Sequence, residues 1–250
     1  MKVSYLLAFI TATLGHAAEP PPSLKPLLAV PDQIVLEHDF SDPAQLNKAH
    51  WKPNMGTRWT VADGVLRGLP STPEYQASKA DHKGLEPRIS SPATPAQFIA
   101  RFSVRFLDGE EAAIVPFVEF GHHVARIKFT ADSVFLLADH DSLKVAENTN
   151  LKYEPGKWYH ALAELRGEEF LVRFAGGPTL YARHPSYALP PPSGAPGMGV
   201  AGPKGGSVEL DNVTFWTIKP DVQPTWPTVR NTFPKFEPVI VKQPKEKKAR

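Results

Sequence analysis

The stretch from Ala112 to Phe129 places ionisable side chains inside an apolar run more densely than any other part of the chain. Its chemically active residues are Glu119, His122, His123 and Arg126. Histidine acts as an acid or a base near neutral pH, and arginine orients hydroxyl or carboxylate groups. We therefore predict that an active or binding site lies here.

Gly121 divides this stretch into two predicted strands, with both histidines directly after the turn. Successive side chains of a strand point to opposite faces, so His122, Arg126 and Lys128 share one face and His123 lies on the other, unless Gly121 carries a bulge. We expect the first face to carry the site and only one histidine to reach a ligand. On the alternative interpretation, these polar side chains only cover a solvated face of the sheet.

Other segments add candidate site residues. Asp139 and His140 belong to an Asp-His-Asp run that can bind a metal or position a base, although Asp is equally typical of ordinary turns. A long polar loop contains His82 and Arg88, which either form one wall of a cleft or lie on a solvated surface. Tyr181, near a segment rich in Gly and Pro, is a candidate platform for stacking.

Composition limits the possible functions. The chain has 250 residues with 42% hydrophobic residues, which allows one large β domain or two small ones with a substantial core. Its net charge of +2 is too small to indicate a nucleic acid partner. It has no cysteine, so stability must come from the core and from any bound metal rather than from disulfides.

The N-terminal residues Met1–Ala18 have a positive start, an apolar segment and small residues at the end, which is typical of a secretory signal peptide. The alternative is a first helix of the fold. We expect a signal peptide at 1–18, a proline-rich leader at 19–31 outside the core, a β-sandwich domain at 32–219, and an extended tail rich in Pro and Lys at 220–250. The protein is then expected to be a secreted or periplasmic bacterial monomer without a transmembrane segment.

The remaining pattern predicts short strands. Asp63-Gly64 between apolar alternations is a strong hairpin signal, and Gln97–Leu107 alternates apolar and polar residues with period two. No amphipathic helix of ten or more residues is predicted after the signal peptide. Many short strands with Gly and Asp turns indicate an all-β, antiparallel sandwich or barrel.

Several motifs resemble the secreted 3-keto-disaccharide hydrolase-like domains. They are the Asp-Phe-Ser opening at 39–41 and the segments Trp59–Gly68, Pro155–Tyr159 and Val208–Val213. The resemblance covers 34–219 and implies a concanavalin A-like jelly-roll sandwich that binds carbohydrate and cleaves 3-keto-glycosides. The alternatives are a non-catalytic glycan-binding or cell-envelope module, and a structural domain whose basic tail tethers it to an anionic polymer.

The expected site residues follow from these two lines of reasoning. The catalytic candidates are His122, Arg126, Glu119, Asp139 and His140, and the substrate-binding candidates are His82, Arg88, Lys128 and Tyr181. The resemblance also implies a structural Ca²⁺ where the first and last strands meet, held by Glu37 or Asp39 with Asp211.

Glucanases of this fold carry three acidic residues on one strand. Glu209 and Asp211 supply only two of them here, because Val213 and Thr214 stand where the third acid would be. Retaining hydrolysis needs an acid and a nucleophile about 5 Å apart. We therefore exclude a glucanase mechanism on this strand.

Overall fold

The computed structural model describes residues 23–91, 95–109, 116–190 and 197–241. The predicted signal peptide, residues 112–115 of the site stretch and the end of the basic tail lie outside the described residues. No helix within these ranges is long and apolar enough to cross a membrane.

The described elements are mostly short strands. In chain order they are β1 (Ala29–His38), β2 (Lys52–Pro53), β3 (Arg58–Ala62), β4 (Val65–Leu69), β5 (Arg88–Ser90), β6 (Phe98–Leu107), β7 (Phe117–Phe120), β8 (Ala125–Phe129), β9 (Val134–Ala138), β10 (Leu143–Asn148), β11 (Trp158–Arg166), β12 (Glu169–Phe174), β13 (Thr179–Arg183), β14 (Met198–Ala201), β15 (Ser207–Val222) and β16 (Val239–Ile240). The helices are α1 (Pro73–Ala77) and α2 (Trp226–Val229), with 3-10 turns at Pro43–Gln45, Asp139–Asp141, Pro185–Ala188 and Arg230–Thr232.

These strands form two eight-stranded sheets whose described pairings are antiparallel. The first sheet has the order β13-β12-β11-β6-β15-β4-β3, with β1 paired to β15. The second has the order β16-β10-β9-β8-β7-β14-β5-β2. The predicted all-β sandwich is therefore confirmed.

Local sequence signals explain two of the central elements. Asp63 and Gly64 both have positive φ, 54° and 73°, as the two-residue turn between β3 and β4 requires. The alternation predicted for Gln97–Leu107 forms β6, and its aromatic residues Phe98, Phe102 and Phe106, each at most 2% exposed, lie on the inner face.

The core lies between the two sheets and is rich in aromatic residues. Phe98 of β6 faces Phe120 of β7 with ring centroids 4.9 Å apart, and Phe106 of β6 faces Phe129 of β8 at 5.1 Å. Edge-to-face and tilted aromatic pairs of this kind stabilise a core beyond their buried area. The inner faces of β7 and β8 are therefore fixed, and the outer faces of the same strands are held in a defined position.

The chain ends differ from the predicted boundaries. Strand β1 begins at Ala29, inside the predicted leader, and β15 continues to Val222, beyond the predicted end of the domain. Leu28, Ala29 and Trp226 are at most 1% exposed, in a cluster that covers apolar residues on the outer face of the first sheet. Residues on both sides of the predicted domain therefore belong to the packed structure.

One buried carboxylate holds the N-terminal segment in place. Glu164 is fully buried and accepts hydrogen bonds from the backbone N–H groups of Leu27, Leu28 and Ala29, at 2.8 to 3.0 Å. Burial raises the pKa of Glu164, and these three donors oppose that effect. Such a long-range contact leaves no periodic signal in the sequence, which is why the leader was placed outside the core.

Candidate functional site

The candidate site lies on the outer face of the second sheet, where β5, β14, β7 and β8 run side by side. Glu119 of β7 is paired with Arg126 of β8 on one side and with Gly199 of β14 on the other, and Gly199 is paired with Ser90 of β5. The neighbours of Glu119 along β7, Val118 and Phe120, point into the core. Strand alternation therefore places Glu119 and Arg126 on the solvent side of the sheet.

The two histidines lie in a turn and not on a strand, so the predicted separation of the pair was wrong. Strand β8 begins only at Ala125, and Gly121, His122 and His123 all have positive φ, of 69°, 34° and 68°. This left-handed run brings both imidazoles to the same side, with ring centroids 4.3 Å apart. Positive φ is unfavourable for a histidine, and such strain is concentrated at functional sites.

Arg126 is the centre of the charged network beneath the histidines. Its Nη2 donates to Oε2 of Glu119 at 2.6 Å and lies 2.9 Å from Oδ2 of Asp139. Nδ1 of His123 lies 2.6 Å from the same Oδ2 of Asp139, and Nδ1 of His122 lies 3.7 Å from Oε1 of Glu119. Each carboxylate thus connects the arginine to one imidazole. The network includes His123, which strand alternation had predicted on the opposite face.

The network consists of three buried charged side chains and two exposed imidazoles. The side chains of Arg126, Glu119 and Asp139 are 10%, 12% and 4% exposed, whereas those of His122 and His123 are 45% and 59% exposed. The carboxylate of Asp139 accepts, so Nδ1 of His123 donates and Nε2 of the neutral ring is left as an acceptor facing away from it. The buried charges therefore hold two accessible imidazoles in fixed orientations.

Two pKa values are shifted in opposite directions. Burial alone would raise the pKa of Glu119, but the polar contact with His122 and the charge and hydrogen bond of Arg126 outweigh it and lower the pKa to about 2. The contact with the Glu119 carboxylate raises the pKa of His122, against the opposing effect of burial. Glu119 is therefore an anion at neutral pH, and His122 is more readily protonated than a free histidine.

A cavity of about 560 Å³ opens beside this network. Its described lining residues come from the segment around β2 and from β5, β14, β7 and the histidine turn, and are Lys48, Lys52, Asn54, Met55, Arg88, Ile89, Ser90, Ser91, Phe117, Glu119, His122, Gly199 and Val200. A Cβ atom on Gly199 would lie 2.7 Å from Oε1 of Glu119, so only glycine lets the Glu119 side chain lie flat across β14.

Arg88 and Lys128, both predicted binding residues, lie on the same face. Cζ of Arg88 lies 5.6 Å from the ring centroid of Phe117, and Cζ of Arg126 lies 4.1 Å from it. Lys128 is paired with Phe117 across β7 and β8, is 4% exposed, and has its Nζ 6.0 Å from the ring of Phe135. Arg88 lines the cavity, whereas Lys128 does not.

The structure does not bring the other three predicted residues into the network. His140 is 64% exposed and pairs with Asp141 at 3.2 Å, and His82 is exposed and does not line the cavity. Tyr181 lies on the first sheet, where its hydroxyl donates to Glu169 at 2.6 Å and its ring packs on Trp226. The types of these three residues and their place in the sequence therefore did not predict where they lie in the fold.

Each of the three predicted calcium ligands has a protein partner of its own. Glu37 lies 3.9 Å from Arg101, Asp39 accepts from Ser41 and Gln45, and Asp211 accepts from the backbone N–H of Asn212. Within the described ranges, no group of three or more His, Cys, Asp or Glu side chains is arranged to hold a metal ion. Structural calcium at these carboxylates stays a prediction, and no step below involves it.

Glu209 has a structural environment. It is fully buried, and its two oxygens are bound by Arg67 at 2.7 Å and by Arg105 at a short contact. A carboxylate enclosed by two guanidinium groups is not available to a substrate. This agrees with the exclusion of a glucanase mechanism on β15.

The free energy of unfolding is expected to fall in acid as Glu119 becomes protonated. Its folded pKa of about 2 is below the ordinary value of 4.5, so its stabilisation is complete above pH 4.5 and is lost as the pH falls towards 2. The wild type should lose on the order of 3 kcal/mol over this interval relative to Glu119→Gln. Urea unfolding midpoints measured from pH 5 to 2 test this.

A matched control is Glu154→Gln, which removes an exposed carboxylate paired with Lys157. Its stability should follow the wild type across the acid range. If the urea midpoints of the wild type and Glu119→Gln change in parallel with pH, the assignment of a lowered pKa to Glu119 is contradicted.

Comparison with known proteins identifies the fold. No model of a protein family matches the sequence, and no curated protein matches it. Among solved structures, a mutant of SCLam, a non-specific endo-β-1,3(4)-glucanase of family GH16 bound to an oligosaccharide, is similar with a TM-score of 0.50 and 13% identity, over 79% of this chain and 100% of that chain. The carbohydrate-binding module CBM66 from Bacillus subtilis has a TM-score of 0.40 and 15% identity, over 68% of this chain and 98% of that chain.

At this identity the likeness to the glucanase concerns the fold alone. Together with the two antiparallel sheets, it shows a concanavalin A-like jelly-roll sandwich. The predicted fold class is confirmed.

Proposed function

We propose that this protein acts on carbohydrate and that the sugar binds in the cavity beside Glu119. In its finer form, the proposal is that the protein cleaves 3-keto-glycosides. The observation that carries it is the pair of accessible imidazoles, each next to a buried carboxylate, on the outer face of a jelly-roll sheet. His122 lines the cavity, and His123 lies beside His122 with ring centroids 4.3 Å apart. The motifs shared with the 3-keto-disaccharide hydrolase-like domains and the glycan-active proteins of the same fold support the choice of sugar as ligand.

The histidine pair suits the chemistry of a ketone-bearing sugar. The proton on C2, next to the C3 ketone, is acidic because its removal leaves an enolate. His123, oriented by Asp139, would accept that proton at Nε2, and the enolate would then expel the glycosidic oxygen from C1. His122, whose pKa is raised by Glu119, would donate a proton from its cationic form to the leaving oxygen. Addition of water across the resulting C1–C2 double bond completes hydrolysis.

A two-carboxylate mechanism is less well supported by the same residues. Such a mechanism needs one carboxyl group that is protonated before the reaction. Glu119 has a pKa of about 2, and both Glu119 and Asp139 are bound to Arg126. Their role in this proposal is to position the histidines.

The alternative function is a non-catalytic glycan-binding module. The charged and hydrogen-bonding groups of the cavity favour it as much as they favour catalysis, because Arg, Lys, Asn and Ser side chains bind sugar hydroxyls without any proton transfer. Under this alternative the histidines contribute binding contacts only.

A turnover assay separates the two functions. Purified protein is incubated with a 3-keto-disaccharide and with its unoxidised parent, and released monosaccharide is measured. The enzyme should cleave only the keto sugar, and His122→Ala should lower kcat by at least about tenfold with a smaller change in KM. Binding without turnover would favour the module, and no binding across a broad glycan panel would contradict both.

Two further predictions remain proposals. Export from the cell depends on Met1–Ala18 as a signal peptide, which lies outside the described residues. Structural Ca²⁺ at Glu37, Asp39 and Asp211 is testable by the change in melting temperature when EDTA or calcium is added.

A further inference from the structure

The cavity beside Glu119 carries more positive than negative charge. Lys48, Lys52 and Arg88 line it, together with His122, whose pKa is raised by the neighbouring carboxylate of Glu119. Glu119 is the only carboxylate among its described lining residues, and Arg126 already pairs with it at 2.6 Å. The described residues therefore leave this cavity with an excess of positive charge.

Arg88 is half-buried, whereas Lys48 and Lys52 are exposed. Its Nε is buried and has no hydrogen-bond partner in the part of the chain that the structure describes, and in that part its guanidinium forms no ion pair. Burial lowers the pKa of Arg88 more than the charges of Glu86 and Glu119 raise it. A largely buried guanidinium without an ion pair destabilises the free protein, and an anion bound in the cavity would lower that cost.

Phe117 keeps Arg88 in position despite the neighbouring positive charge. Both Arg88 and Arg126 lie against its ring, with Cζ atoms 5.6 Å and 4.1 Å from the centroid. An aromatic face attracts a guanidinium group, so this ring holds two like charges side by side. Arg88 is therefore oriented before any ligand binds.

The rest of the cavity is suited to hydroxyl groups. Nδ2 of Asn54 donates to Oγ of Ser90 at 3.1 Å, which places an amide and a hydroxyl on the wall next to Arg88. Gly199 contributes no side chain of its own, and the carboxylate of Glu119 lies over it on the same wall. Neutral polar groups beside a cationic end match a ligand that has both hydroxyls and a negative charge.

We propose that the sugar bound here is acidic, namely an oligosaccharide that contains uronic acid, and that Arg88 binds its carboxylate. The two N–H donors on one edge of a guanidinium match the two oxygens of a planar carboxylate, and Lys48 and Lys52 add long-range attraction. This inference depends on the proposed function, because it names the class of sugar that the same cavity takes.

Calorimetric titration with three ligands of equal length tests the inference. They are an oligogalacturonate, its fully methyl-esterified form, which is neutral, and a sulfated neutral oligosaccharide. The wild type should bind the oligogalacturonate at least about tenfold more tightly than the ester. Arg88→Gln should bind the two alike, whereas Arg58→Gln, which changes an exposed arginine outside the cavity, should keep the wild-type preference.

Thermal melting of each variant shows whether it is folded. If Arg88→Gln does not fold, the double variant Lys48→Gln/Lys52→Gln replaces it, because both lysines are exposed. That variant should show weaker binding of the oligogalacturonate and a smaller dependence on salt.

The outcomes separate this inference from the proposed function. Equal binding of acid and ester by the wild type, or an unchanged preference in folded Arg88→Gln, overturns the inference and leaves the carbohydrate function in place. Tighter binding of the sulfated sugar overturns the assignment to a carboxylate. An absence of binding to all three ligands and to a broad panel of neutral glycans overturns both.

Discussion

The Arg126→Gln variant is expected to be about 3–5 kcal/mol less stable than the wild type. Arg126 is the shared partner of Glu119 and Asp139, at 2.6 and 2.9 Å, and the side chains of both carboxylates are almost completely buried. Removing the guanidinium leaves two neighbouring negative charges without their cation. Urea unfolding at pH 7, followed by tryptophan fluorescence, measures the loss.

Arg183→Gln is the matched control for this experiment. Arg183 pairs with Glu168 at 2.8 Å, but the two side chains are 66% and 39% exposed. Exposed pairs contribute little, so this variant should lose less than about 1 kcal/mol. Equal losses in the two variants would contradict a central role for Arg126.

A triple variant tests the physical cause. Arg126→Met, Glu119→Gln and Asp139→Asn together remove all three charges, so no buried charge is left without a partner. Stability should recover most of the loss, because replacing a whole buried ionic network costs far less than breaking it. A triple variant as unstable as Arg126→Gln would indicate that shape, and not charge, is what Arg126 supplies.

The parts of the fold that were predicted correctly are those with local signals. The alternation in β6 and the Asp63-Gly64 turn each depend on residues within a few positions of each other, where strand geometry and turn conformation act directly. Thr72 and Pro73, the N-cap and first position of α1, are a further local signal, typical of the start of a helix.

The site was predicted in outline but not in geometry. The face shared by Arg126 and Lys128 followed from strand alternation, because both residues lie on β8. The histidines did not follow it, since they adopt positive φ in a turn, and no sequence pattern predicts that conformation for His. The contact between Arg126 and Asp139 depends on how β8 and β9 are paired. The sequence alone does not show the register of that pairing.

Long-range contacts account for the remaining differences. Cavity walls come from β2, β5, β14 and β7, segments separated by many residues along the chain, and Tyr181 was placed near the site only because its loop has suitable composition. Strand order decides which of these segments meet, and it depends on packing of the whole sandwich. The sequence therefore predicts the types of residue at the site but not the complete set of segments that surround it.

Replacing His123 by glycine is expected to lower kcat on a 3-keto-glycoside by about 10²–10⁴-fold. Under the proposed chemistry, this ring removes the proton next to the ketone, and Asp139 fixes its orientation through the 2.6 Å contact to Nδ1. KM should change much less, because proton transfer is a property of the transition state. Initial rates at pH 7 over a range of substrate concentrations measure both constants.

Glycine is the informative substitution because it removes the imidazole ring and leaves the backbone conformation unstrained. His123 has a φ of 68°, which glycine adopts without strain, so the variant should stay folded with a melting temperature close to that of the wild type. The space left by the ring lies beside Asp139 and is open to solvent. Added imidazole should therefore restore part of the lost rate.

His140→Ala is the control, since His140 is exposed, pairs with Asp141 and lies outside the network. It should retain wild-type kcat, although both histidines are close to Asp139, one in space and the other in sequence. Full activity in His123→Gly would reject His123 as the base. A loss that imidazole does not restore, with the fold intact, would assign His123 a positioning role and leave the base to His122.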